Sequence, residues 1–161
     1  GLPSVTIDVA APELLSERSI ADLNLDGATV RAYTLERIAG EKARAFLSTL
    51  PSYRMKMRKP GEAVRVKDLY DLTRIICARP IADSRFWTIA GQEFRLACES
   101  RYVDCAGLES FKEEWAETQA LFKASRVIPA DCTIEDAEAT IAFIAGFWQK
   151  NGFLPLDFPL H

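Results

Sequence analysis

The sequence predicts an α+β protein that is mainly helical. Two short runs before residue 34 alternate like strands, and five longer segments between residues 35 and 150 repeat their apolar residues at helical spacing. Cap and turn residues punctuate the boundaries between them. The 161 residues, 48% hydrophobic and 27% charged, fit one globular domain able to bury roughly 70% of its unfolded surface.

Each element has its own signal. Val5, Ile7 and Val9 alternate with Thr6 and Asp8 as in a half-buried strand, which Pro12 ends. Asp26-Gly27 marks a turn, and Ala28 to Tyr33 is a second strand with Val30 on one face. Two strands alone are marginal, so the sheet is expected to continue in sequence outside this chain. Thr34 offers an N-cap, Glu36 sits in the first turn, and a helix is expected from residue 35 to 50, stopped by Pro51. Residues 51–64, with Pro60-Gly61, read as a loop. A second helix covers 66–78, ended by Pro80.

A third helix starts at Asp83 or Ser84, and its Trp87, Ala90, Phe94 and Ala97 share a face. A fourth covers 108–124, with Leu108, Phe111, Trp115 and Phe122 inward. The fifth opens on Thr133-Ile134-Glu135-Asp136, a capping box with Asp as its fourth member, and ends at Asn151-Gly152. Residues 139–148 are apolar except Thr140, which is a buried central helix and too short for a membrane span of about 20 residues. The apolar tail 153–160 is expected to lie over the domain surface, a partner site being the alternative. The chain thus divides into a strand region 4–33, a helical region 34–150 and a tail 151–161.

Composition excludes several chemistries. The one histidine, His161, is the last residue, so a Ser-His-Asp triad, a Cys-His pair and a two-His zinc site are excluded. Cys77, Cys98, Cys105 and Cys132 contain no C-x-x-C and read mostly as small core residues of a reduced, cytoplasmic protein. The first residues show no signal-peptide pattern. A formal charge of −3 argues against nucleic-acid binding by bulk charge but leaves a local patch open.

Such a patch exists. Residues 53–67 carry Arg54, Lys56, Arg58, Lys59, Arg65 and Lys67 against the single acid Glu62. The remaining 14 basic and 22 acidic residues give an acidic body of net −8. Tyr53, Met55 and Met57 alternate with the cations, a pattern suited to phosphate, while a solvated loop explains it equally. Lys42 is the second unusual residue. Ile38, Ala39, Ala45 and Phe46 surround it at helical spacing, so it lies on the apolar face of its helix. Glu36, Arg37, Glu41, Arg44 and Ser48 occupy the positions expected at the surface. Lys42 is either a snorkelling lysine or a cation aimed into a cleft, and Asp68 or Asp71 is the acid expected to meet it. Lys67–Asp71 and Asp71–Arg74 have the spacing of surface ion pairs. Asp8 is a strand carboxylate that would matter only if other acids joined it around a metal.

The run Arg65-x-Lys67-Asp68-Leu69-Tyr70-Asp71-Leu72 follows Glu41-Lys42-Ala43-Arg44-Ala45 on a helix and, before that, strand-turn-strand. This order, from about Ser4 to Ala78, resembles the AbiEii-type nucleotidyltransferase toxins of AbiE-like toxin–antitoxin pairs. The resemblance implies a polymerase-β-like nucleotidyltransferase sheet, of which the two strands are a remnant, followed by a bundle of about five helices. It implies transfer of a nucleotidyl group from an NTP to an acceptor such as tRNA, with Mg²⁺, and an antitoxin as a partner. It gives Lys42, Lys67 and Asp68 catalytic places, the lysines on phosphates and Asp68 orienting a lysine or moving a proton. It would make Asp8 a metal ligand, while the charge pattern of 53–67 itself offers Arg54, Lys56, Arg58, Lys59 and Arg65 for phosphate. The family's Gly-Ser and Asp-x-Asp elements do not occur in this sequence. The chain, which begins with Gly1, is therefore expected to be the C-terminal part of a longer protein and inactive by itself. The alternative is a non-catalytic helical module that docks nucleic acid or an acidic protein through 53–67.

Overall fold

A computed structural model describes residues 12–59, 61 and 63–160. The expected strand at Val5–Val9, Asp8, Pro60, Glu62 and His161 lie outside the described residues.

The first element is a hairpin. β1 (Ile20–Leu25) pairs antiparallel with β2 (Ala28–Tyr33), with Leu23 opposite Val30 and Leu25 opposite Ala28. Asp26 and Gly27 both take positive φ, 49° and 85°, as a two-residue hairpin turn of the primed type requires. The strand at 28–33 lies where the sequence indicates, and its partner is residues 20–25. Ala21, Leu23 and Leu25 share one face with Ala28, Val30 and Ala32, and Leu23, Leu25 and Val30 on it are exposed.

Among the described residues seven helices follow. α1 (Leu35–Leu47) starts where Thr34 caps the Arg37 amide. It ends three residues earlier than expected because Pro51 does more than stop it. Proline suits the first turn of a helix, and α2 (Pro51–Met57) starts there, in the segment read as a loop. α3 (Val66–Ala78) and α4 (Ser84–Arg101) lie where periodicity places them, and Asp83 caps α4 through the Phe86 amide. The expected helix 108–124 is two, α5 (Leu108–Phe111) and α6 (Trp115–Ala124), broken where Glu114 adopts φ 49°. The break frees Glu113 to accept from the Ser52 amide and hydroxyl at 3.0 and 2.7 Å, which ties it to α2.

α7 (Ile134–Lys150) carries the predicted capping box. It closes with the Phe153 amide on the Trp148 carbonyl and the Gly152 amide on that of Gln149, the paired bonds of a Schellman end. Among the described residues no helix is long and apolar enough to cross a membrane.

α1 lies between α3 and α4, with α7 packed on both. Gly40 makes the α1–α4 approach possible, since a Cβ there would sit 2.5 Å from the Phe94 backbone nitrogen. Trp87, Phe94, Phe111 and Trp148 fill the centre. Phe94 stacks on Trp148 at 4.5 Å, and the Trp148 indole donates to the Trp87 carbonyl at 3.0 Å. The tail lies over this core, as expected. Leu154 and Leu156 are buried, Leu156 forms a β-bridge with Cys105, and Lys56 donates to the Phe158 carbonyl at 2.6 Å. All four cysteines are free, and Cys98 and Cys105 are core residues. Burial pushes the Cys105 thiol up to about 12.

Candidate functional site

The α1–α3 contact brings Lys42 to both candidate acids. Its Nζ lies 2.8 Å from Asp68 Oδ1 and 2.6 Å from Asp71 Oδ2. The acids sit three apart on α3, so one turn presents both to the same ammonium. Arg65, just before α3, takes the other oxygen of Asp68 through Nε at 2.5 Å, and Lys67 bonds Asp71 at 2.9 and 3.0 Å. Three cations thus surround two carboxylates. Asp68 is only 2% exposed and the Lys42 side chain 26%, whereas Arg65 and Lys67 are 55% and 59% exposed.

Burial disfavours the Lys42 charge, but the bonds to Asp68 and Asp71 outweigh it and raise its pKa. Burial likewise opposes the Asp71 charge, and Lys42 and Lys67 more than offset it, holding that carboxyl below its ordinary range. Lys42 is therefore neither free in a cleft nor merely snorkelling. It bridges two helices. The expected Asp71–Arg74 pair is replaced by this bridge.

The basic segment does not form one stripe. Because 51–57 is helical, the alternation of Tyr53, Met55 and Met57 places Met55 opposite the other two. Tyr53 packs on the core and donates to the Arg101 carbonyl at 3.0 Å, while Met55 is 74% exposed. Lys56 turns to Asp104 at 2.7 Å, and the Arg54 side chain runs beside Gly61. Arg58 and Lys59 are exposed and form no ion pair among the described residues. Arg65 and Lys67 join the Lys42 cluster.

The surface assignment of Arg37 is overturned: it is fully buried. Periodicity shows one apolar face of α1, but α4 and the chain before the hairpin cover a second. Arg37 meets Glu41 at 2.6 Å, Glu13 at 3.1 Å and Glu93 at 3.3 Å, with the Tyr33 ring 5.7 Å away. Glu93, also buried, accepts from the Ser16 and Ser19 hydroxyls. Burial works against the Glu13 charge, yet Arg101 and Arg37 hold its carboxyl below the ordinary range. The available signal was Gly40, a glycine inside a helix that marks a close approach.

Neither cluster suits a metal ion. Among the described residues no group of three or more His, Cys, Asp or Glu side chains is placed to hold one. Asp68 and Asp71 are each engaged by two cations, whose charge would repel Mg²⁺.

Comparison with known proteins places this geometry in context. The family model described as "Nucleotidyl transferase AbiEii toxin, Type IV TA system" matches residues 2–139, which include α1, α3 and every residue of both clusters. No curated protein and no solved structure matches the chain.

Proposed function

The chain belongs to the AbiEii nucleotidyl transferase toxin family, and from that premise we propose that it takes part in transferring a nucleotidyl group from an NTP to an acceptor such as tRNA. The observation that carries this reading is the Lys42–Asp68–Asp71 bridge with Arg65 and Lys67 half exposed on its rim.

Phosphoryl and nucleotidyl transfer depend chiefly on positioning and on charge opposite the phosphates. In our reading Arg65 and Lys67 meet the triphosphate. There they offset charge as the acceptor hydroxyl oxygen bonds to the α-phosphorus, its proton passes to solvent, and the bond to pyrophosphate breaks. Lys42 is a positioning residue that fixes Asp68 and Asp71. Asp68 has both oxygens engaged, by Lys42 and Arg65, so its part is to orient those cations rather than to carry a proton. Arg58 and Lys59, beside the exposed Met55, would take the acceptor strand, with Arg54 behind them. Lys56 holds the tail instead.

The metal chemistry of the family requires acids that this cluster does not supply, and no step above runs through a metal. Asp8 stays a candidate ligand, together with acids we place elsewhere in the polypeptide. In this proposal the 161-residue chain is the C-terminal part of a longer protein and inactive alone, and a cognate antitoxin is its partner. Incubating the chain with labelled NTP, Mg²⁺ and tRNA should give no transfer, and robust transfer would overturn that point. In the polypeptide that does transfer, Arg65→Ala and Lys67→Ala should each reduce the rate by about tenfold or more while leaving the melting temperature nearly unchanged. Full activity in both variants would overturn the site.

A second reading, docking of nucleic acid without catalysis, is favoured by Arg58 and Lys59, which are exposed and have no ion pair among the described residues. It predicts RNA binding that weakens steeply with salt and with Arg58→Ala or Lys59→Ala, in a polypeptide without transfer activity.

A further inference from the structure

A separate cavity of about 480 Å³ opens between the base of the hairpin and the first turns of α1 and α4. It shares no residue with the Lys42 cluster. Two guanidinium groups line it, Arg18 and Arg85, and both are exposed. Neither forms an ion pair among the described residues. Arg37 and Arg44 on α1 and Arg101 at the far end of α4, by contrast, are held by carboxylates.

The backbone under Arg18 is fixed. Its carbonyl accepts from the Thr34 hydroxyl at 2.8 Å, and the Ser19 carbonyl accepts from the Thr34 amide at 2.9 Å. Ser19 is itself anchored on buried Glu93. Arg85 stands on the long helix α4, with the Ser84 and Thr88 hydroxyls beside it. The helix ends themselves add little, because Thr34 and Asp83 already cap the Arg37 and Phe86 amides.

We propose that this cavity binds the phosphate of a nucleoside monophosphate unit, with Arg18 and Arg85 on the phosphate oxygens. Arginine suits this because its planar fork can donate two bonds to one phosphate. The volume exceeds that of a phosphate alone, and Ile20 and Ile89 give the rest an apolar wall for a nucleoside. Among the described residues Glu36 is the one carboxylate in the lining, leaving a net charge of one positive unit there. That balance suits a single phosphate, and the lining is distinct from the cluster at residues 65–71. A free nucleotide and one residue of an RNA strand present the same group.

The test is titration of the ¹⁵N-labelled 161-residue chain with AMP, with a short single-stranded RNA and with inorganic phosphate. AMP or RNA should give saturable shifts at the Arg85 and Thr88 amides. Arg18→Ala and Arg85→Ala should each weaken binding by about tenfold. Glu36→Gln should tighten it. Saturation by AMP identifies a free nucleotide, and saturation by RNA alone identifies a strand; either supports the site. Arg85→Lys retains charge without the fork and guards against a folding defect, and it should bind more weakly than the native chain with the same dispersed spectrum. Shifts confined to residues 65–71, binding of inorganic phosphate alone, or native affinity in Arg85→Ala would overturn the proposal. Loss of transfer in the variants of Arg65 and Lys67 concerns the other site and leaves this result untouched.

Discussion

Two charge clusters flank α1, and they differ in what reaches solvent. Around Arg37 the cation is sealed between three carboxylates, two serine hydroxyls complete the shell of Glu93, and the chain before the hairpin is held against α1 and α4. Around Lys42 the acids are sealed or nearly so, and two cations stand at the rim. A cluster that consumes its charge internally serves to hold elements together. A cluster with cations left half exposed keeps charge available for an anionic ligand. Similar residue types on one helix thus differ in what they leave to solvent, decided by what lies over them.

Four experiments would break or sharpen that contrast. The largest effect should come from Arg37→Ala, which leaves Glu93 buried without its counter-ion and should cost about 3–5 kcal/mol in denaturant unfolding. A loss below 1 kcal/mol would mean that this cluster is not the sealed one. Asp68→Ala should follow at about 1–2 kcal/mol, since the partly buried Lys42 loses one of its two acids and keeps only Asp71. The same measurement checks it, and Asp68→Asn should recover part of the loss because it keeps the shape.

Acid should weaken both clusters. Asp71 and Glu13 have folded pKa values below their ordinary values of 3.8 and 4.5, so their contribution is complete above those values and fades as pH falls through the folded ones. Asp71→Asn should therefore flatten the acid limb of the stability–pH curve, and an unchanged slope would contradict the bridge. Lys42 has a raised folded pKa, so its contribution is complete below 10.5 and lost as pH rises beyond it. The smallest effect belongs to Lys67→Ala, at most about 0.5 kcal/mol, because its ion pair is largely solvated. If it instead destabilised the fold as much as Asp68→Ala, the rim would be structural.

Much of the fold was legible. Thr34, Asp83 and the Thr133–Asp136 box announce three helix starts, because caps act through bonds three residues away. Lys42 was legible as an intruder on an apolar face, and Asp68 and Asp71 as its acids, because α3 has an apolar side that must meet something. The strand at 20–25 was not recognised although Asp26-Gly27 pointed to it, since its exposed faces gave no core-directed alternation. α2 reads as a loop when Pro51 is seen only as a stop, and the break at 112–114 was missed because local periodicity continues across it.

By itself the sequence determined the helix boundaries set by caps, the hairpin turn, the basic segment and the placing of Lys42 opposite an acid-bearing helix. All of these follow from spacing along one element. Only the tertiary structure decided that Arg37 is sealed, that Lys56 holds the tail, that Asp71 turns to Lys42 rather than Arg74, and that Arg18 and Arg85 share a cavity. Each of those depends on which second element covers a given side of the first. Periodicity reports that a face is apolar, but it carries no information about what packs against the faces that are not.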